Sequence, residues 1–436
     1  MVQKIEHIMK RVLPSPFSIA ILLTIIVILA ALTLTSKSTL DILTYWEKGL
    51  WNPPLMNFAM QMMLMLVLGY VIALTETFEK IIHKITSFCN NTSQAALIVS
   101  FATIIVSFIN WGLGLIFGAI LARKVGENAL KKNINLNYPL IGAAGYSGLM
   151  VWHGGISGSI PLKIAEPNHF LELGLNDILL NALPNGINFS ETVFSQMNLI
   201  ASILLITIIP IVLFYIGKHK TNKKEFSFKK QTKKPIAIEI KGAEKIDHYS
   251  WFPKIIGAII LILAIRNSFL AQSFNFINPN FVNFCLLGFA LVLHKNINTF
   301  LSSVNQAITS ASGILIQFPL YFGIMGVMKH SGLVDICANF FVNISNNHTY
   351  PIFTMISGGI VNLFVPSGGG QWAVQGPIVL QSALELGVSV PKSIMALVYG
   401  DQLTNMLQPF WALPLLGITQ LKAKELDNYS LFKEET

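Results

Sequence analysis

The chain has 436 residues, 53% of them apolar and 12% charged, with a formal net charge of +9. A soluble domain carries about 25% charged residues, so this composition excludes a disordered chain and argues against soluble domains. Three cysteines (Cys89, Cys285 and Cys337), without metal-ligand spacing, exclude a disulfide scaffold and read as small hydrophobes.

A hydrocarbon core about 30 Å thick needs roughly 20 mostly apolar helical residues per crossing. Phe17–Leu34 meets that length behind Lys4, Lys10 and Arg11. It is too long for a signal-peptide core, and no small-residue cleavage site follows, so it is expected as an uncleaved first span. Leu55–Thr75 is the second. Ala95–Ala122 has 28 residues where two crossings need about 40, and it carries Asn110-Trp-Gly-Leu-Gly114 at its middle. It is expected to enter the membrane and return as a re-entrant hairpin (about 95–122). Tyr138–Ile160 is long enough to cross but is broken by Gly and Pro. Asn198–Ile216 is a further span.

The stretch Lys218–Asp247 holds ten lysines against Glu225, Glu239, Glu244 and Asp247. Cytoplasmic loops collect Lys and Arg, so the sequence pI near 9.3 reflects sidedness and calls for no nucleic-acid partner. With this linker inside, Lys80, Lys84, Arg123, Lys124, Lys131 and Lys132 also fall inside, and the acidic loop Pro161–Gln196 falls outside. Both termini are expected in the cytoplasm. Beyond the linker, Trp251–Leu270 and Gly313–Met328 are spans, and Phe281–Leu293 is short for one. Pro351–Leu386 carries Pro366-Ser-Gly-Gly-Gly-Gln371 at its centre and is expected as a second re-entrant hairpin (about 351–386). Pro391–Gly417 is a second broken span.

The two hairpins correspond. Pro139 follows Asn110 by 29 residues, and Pro391 follows Asn362 by 29; Tyr146 and Tyr399 follow by 36 and 37. The first hairpin enters from inside and the second from outside. Residues 1–217 and 251–436 therefore read as inverted repeats joined by a basic linker, 218–250. Inverted repeats with discontinuous helices mark secondary transporters, whose substrate sites lie at the paired breaks.

A hairpin tip brings together a carbonyl end, suited to a small cation, and an N–H end, suited to a carboxylate. The candidate substrate-binding residues are Asn110, Gly112, Gly114, Ser147, His153, Ser157, Asn362, Ser367, Gly368, Gly369, Gly370, Gln371 and Trp372. In them, glycines permit close backbone approach and the polar side chains supply neutral donors and acceptors. Asp401 is the clearest intramembrane carboxylate, and such groups usually serve transport. Asp401, Gln402, Thr404 and Asn405 are the candidate ion-coupling set, for a proton or a sodium ion; no resident cofactor or metal is expected.

Pro14-Ser-Pro-Phe, Trp51-Asn-Pro-Pro-Leu, Gly142-Ala-Ala-Gly-Tyr-Ser-Gly148, Trp152-His-Gly-Gly-Ile-Ser-Gly-Ser-Ile160, Phe364-Val-Pro-Ser-Gly-Gly-Gly-Gln-Trp372 and Tyr399-Gly-Asp-Gln402 stand in this order along the chain. Together they resemble the bacterial short-chain fatty acid transporter family, the acetoacetate/butyrate permeases, from about Pro14 to Leu421. The resemblance implies an inner-membrane carrier of C2–C4 monocarboxylates, an occupant of the lipid bilayer and possible as a homo-oligomer. It implies no bond-making chemistry. A carrier of another small organic anion, a passive channel, and an intramembrane enzyme using His153, Glu166 and His169 as metal ligands are the alternatives. The last lacks any H-E-x-x-H, G-x-S-x-G or P-loop pattern.

Overall fold

The computed structural model describes residues 16–173, 175, 177–219, 242–271, 276–362, 368–407 and 409–421. Every regular element among them is helical, as a chain in lipid requires: with no water to satisfy backbone groups, each segment must bond internally. The first span is α1 (Pro16–Leu34), and α2 (Pro53–Ala73) follows, started by Asn52, whose side chain accepts from Leu55 N, with proline in its first turn. The first hairpin pairs α3 (Thr92–Ile109) with α4 (Trp111–Lys131), and a proline-started helix, α5 (Tyr138–Tyr146), follows. The rest of the framework is α6 (Gln196–His219), α7 (Trp251–Leu270), α8 (Pro279–Leu293) and α9 (Ser312–Ser331). The second hairpin pairs α10 (Tyr350–Asn362) with α11 (Gly368–Glu385), and α12 (Val390–Asn405) and α13 (Pro409–Thr419) complete the broken span.

The long apolar helices α2, α3, α6, α7 and α9 are each long enough to cross a membrane. At 15 residues, α8 is about 22 Å long and falls short of the hydrocarbon thickness. Most of the basic linker, 220–241, lies outside the described residues, as do Lys422 and Lys424.

Both hairpins fold back in strict register. In the first, a Cβ on Gly114 would meet Ser107, and one on Gly118 would meet Thr103, so residues equidistant from the tip face each other. In the second, Gln371 Nε2 donates to Gly358 O (2.8 Å) and Tyr350 OH to Val379 O (3.1 Å), again a constant register. At 13 residues α10 is about 20 Å long, too short to cross. The first hairpin is longer than its apolar run indicates. Polar residues at its base are helical too, and the arms have 18 and 21 residues. Its re-entry follows instead from where the tip stops. Asn110 and Gly112 lie against Gly69 and Leu66, inside the length of α2. The base lies past the C-terminal end of α2, where Lys124 reaches Glu79 at 3.8 Å.

Helices in lipid gain nothing by hiding apolar surface from one another, so close packing of small residues holds them. Gly118 of α4 and Gly145 of α5 touch backbone to backbone: a Cβ on either would lie 2.1 or 2.5 Å from the other's carbonyl oxygen. A Cβ on Gly400 of α12 would likewise lie 2.1 Å from Met355 O of α10. Each hairpin is thus fixed to the helix that follows it.

Candidate functional site

After α5 a 3₁₀ turn, Ser147–Met150, leads into residues 151–158, which are not helical. Buried backbone that leaves the helix must find other partners. Ile156 N donates to Phe108 O at the first hairpin tip (2.8 Å). Gln402 reaches across from α12: its Oε1 accepts from His153 N (3.1 Å) and Gly154 N (3.0 Å), and its Nε2 donates to Met150 O (2.5 Å). Asn198 of α6 donates to Gly154 O (2.8 Å) and accepts from Tyr399 OH (3.0 Å). Gly155 and Gly158 are required here, since a Cβ on each would lie 2.4 and 2.0 Å from a backbone oxygen.

This scaffold delivers His153 to Asp401, both fully buried. Ile160 N–H points at His153 Nε2 (3.2 Å), so that nitrogen is the acceptor and the ring hydrogen sits on Nδ1, which donates to Asp401 Oδ2. Asn405 Nδ2 donates to the same oxygen at 2.8 Å. Asp401 Oδ1 has no partner, and neither has Asn405 Oδ1 one helical turn further on. Asn362, ending the ascending arm of the second hairpin, donates to Asp401 O (2.9 Å) and Thr404 Oγ1 (2.8 Å). Gly368, opening the descending arm, lies against the His153 ring. Two residues 248 apart in sequence therefore meet at one buried carboxylate, with Asn362 and Gly368 of the second hairpin beside them.

The first tip is built differently from the sequence-based expectation of free amides. Trp111 N donates to Ser157 Oγ, Leu113 N to Asn110 Oδ1 and Gly114 N to Asn110 O, each at 2.8 Å. Gly112 and Gly114 serve close packing against Leu66 and Ser107. Ser147 Oγ is engaged with Ala144 O (2.8 Å). Thr404 Oγ1 donates to Gly400 O (3.1 Å), and Gln371 Nε2 also reaches Gln375 Oε1 (2.6 Å). Gly369 faces the Phe58 ring, and Gly370 is buried in the first turn of α11. Ser367 lies outside the described residues. Trp111, Trp152, Trp411 and Asn198 are the site's neighbours that the sequence did not single out. Asn198 is a polar residue opening an otherwise apolar span, the one signal that pointed to it.

Trp372 is held from the loop that precedes α6. Its Nε1 donates to His169 Nε2 (2.8 Å), while His169 Nδ1 donates to Glu172 (3.1 Å). Lys163, 2% exposed, pairs with Glu166 (2.5 Å) and Glu172 (3.4 Å), and Gln61 of α2 donates to Glu166 (3.1 Å) and Asn280 (2.9 Å). Burial holds His169 below the ordinary histidine range, against the pull of Glu172. Burial pushes Glu172 up, but its bond to His169 and the Lys163 ammonium leave it below the usual carboxylate range. When His169 takes a second proton, Nε2 becomes a donor and the Trp372 bond is lost. The folded value is depressed, so this contribution is present above about pH 6.5 and lost as pH falls. Trp372→Phe is expected to remove about 1 kcal/mol of stability at pH 7.5, read as a lower melting temperature, and the deficit is expected to shrink as pH falls through the depressed His169 value. An unchanged melting temperature at pH 7.5 overturns the contribution of this bond.

His153, Glu166 and His169 do not converge, and among the described residues no group of three or more His, Cys, Asp or Glu is placed to hold a metal ion.

The family model described as "Short chain fatty acid transporter" matches residues 1–433. A protein of Escherichia coli (strain K12), named as a candidate short-chain fatty acid transporter, is 34% identical over 99% of this chain and 96% of its own length. One of the same name from Haemophilus influenzae (strain ATCC 51907 / DSM 11121 / KW20 / Rd) is 33% identical over 97% and 93%. The crystal structure of the Alcanivorax borkumensis YdaH transporter, described as having an unusual topology, has a similar fold, with a TM-score of 0.58 and 12% identity over 95% of this chain and 94% of that one.

Proposed function

The chain belongs to the short-chain fatty acid transporter family, and from that premise we propose that it is an ion-coupled secondary carrier. It moves C2–C4 monocarboxylates such as acetoacetate and butyrate across the cytoplasmic membrane by alternating access, with both termini in the cytoplasm. That it is a multi-pass membrane transporter follows from the family and the apolar spans.

The observation that carries the coupling is Asp401, fully buried, with Oδ1 lacking any donor. A proton or a small cation would fill this one unsatisfied position of a carboxylate held inside the membrane. A substrate carboxylate entering the same site adds a second negative charge. Lys163, a buried ammonium of the outer loop, is already matched by Glu166 and Glu172. A proton or a sodium ion on Asp401 cancels its charge, so the loaded site carries the one negative charge of the substrate instead of two, and anion and cation cross together. The gate is the second hairpin, whose Gly368 rests on His153. The two negative charges of a dicarboxylate would need a fixed cation that this site lacks.

Reconstitution tests the reading. Labelled butyrate is expected to accumulate in proteoliposomes under an imposed proton or sodium gradient, and acetate and acetoacetate are expected to compete. Failure of all C2–C4 acids either to accumulate or to compete removes the substrate class.

A further inference from the structure

We propose that Asn110 Nδ2, Trp111 Nε1 and Trp152 Nε1 are the donors that hold the substrate carboxylate, with the Trp111, Trp152 and Trp411 rings beside its short alkyl chain. This rests on the reading of the chain as a monocarboxylate carrier.

Buried N–H groups nearly always find an acceptor. These three have none, although their residues are 2%, 4% and 4% exposed. The orientation of Asn110 is settled, because its Oδ1 accepts from Leu113 N and leaves Nδ2 to point elsewhere. The three are neighbours. Trp111 follows Asn110 at the hairpin tip and meets Trp152 edge-on, with centroids 5.8 Å apart, and Trp411 at 5.4 Å. Trp46, another indole without an acceptor, lies elsewhere, against Gly323.

The unpartnered atoms divide by sign. Around the first tip they are donors, whereas on Asp401, Asn405 and Gln371 they are acceptors. A donor group beside an acceptor group suits an anion beside a cation. The Trp152 ring stacks on His153 at 4.3 Å, and His153 in turn bonds Asp401, so the two groups are joined by a single imidazole. Neutral indole and amide donors bind one negative charge without a fixed cation. At the first tip the Trp111 and Leu113 amides are already bonded within the protein. The Trp372 indole N–H is tied to His169.

The test measures equilibrium binding of acetate, propionate and butyrate to the full chain in lipid nanodiscs. Wild type is set beside Trp111→Phe, Trp152→Phe and the same positions carrying benzothienylalanine, which keeps the bicyclic shape and replaces N–H by sulfur. Each benzothienylalanine protein is expected to melt as wild type does. Each is expected to bind all three acids about tenfold to a hundredfold more weakly, by the same factor. Unchanged affinity, or a loss that grows with chain length, overturns the proposal while leaving the carrier reading intact. Failure of wild type to bind any of the three overturns both.

Discussion

Asp401→Asn is expected to abolish gradient-driven accumulation of butyrate while preserving butyrate binding. Asparagine keeps the shape of the side chain, and its Oδ1 can still accept from His153 Nδ1–H, so the hairpin and the broken segment stay in place. What is lost is the negative charge to which the proposed function assigns the coupling of cation binding to substrate binding. A gradient of one pH unit is worth about 1.4 kcal/mol per proton, enough for about tenfold accumulation at one-to-one coupling. The variant should reach only equal concentrations inside and outside, under either a proton or a sodium gradient. It should still exchange labelled for unlabelled butyrate, and bind it as tightly as wild type or tighter, because the like charge beside the site is gone. Full accumulation by the variant overturns the role of Asp401. Loss of exchange together with accumulation assigns Asp401 to binding or folding instead.

The parts of this site that the sequence made legible are those that break a local rule. Asn110, the Gly368–Gly370 run and Asp401 each interrupt an apolar stretch, and each lies where a helix starts, ends or carries a charge in the protein interior. Partnership is a different matter. Nothing local to His153 indicates that its Nδ1 faces a residue 248 positions away, or that its Nε2 takes a backbone hydrogen. Gln402 sits beside Asp401 and shares its setting, yet both ends of its amide brace residues 150–154. Trp111 and Trp152 look in sequence like any membrane tryptophan, and only their missing acceptors set them apart. The first hairpin reads short in the sequence because apolarity marks only the part of a helix at hydrocarbon depth, whereas Arg123 to Lys131 continue α4 with Arg123 bonded to Glu127 and to Ile418 O. The pairing of Tyr146 with Tyr399 also aligns unequal places: α5 ends at Tyr146, while α12 runs six residues past Tyr399.

Gly368→Ala and Gly369→Ala, adjacent and chemically identical changes, are expected to differ sharply in transport. A Cβ on Gly368 would lie 2.4 Å from His153 Cε1 and 2.8 Å from Nε2. The ring has nowhere to go, since Asp401 holds Nδ1 and Ile160 N–H holds Nε2. The hairpin must therefore withdraw from the site. Overpacking of this kind costs about 1–3 kcal/mol, which shifts the balance between a seated and a withdrawn hairpin by about fivefold to more than a hundredfold. A Cβ on Gly369 would instead lie 2.6 Å from the far edge of the Phe58 ring and 3.2 Å from that of Phe318, neither of them held by a hydrogen bond as the His153 ring is. Initial butyrate uptake should fall by at least about fivefold in the first variant and by less than about threefold in the second, at equal amounts of folded protein by size-exclusion chromatography. Equal losses in the two would mean that the contact between Gly368 and His153 does not seat the gate.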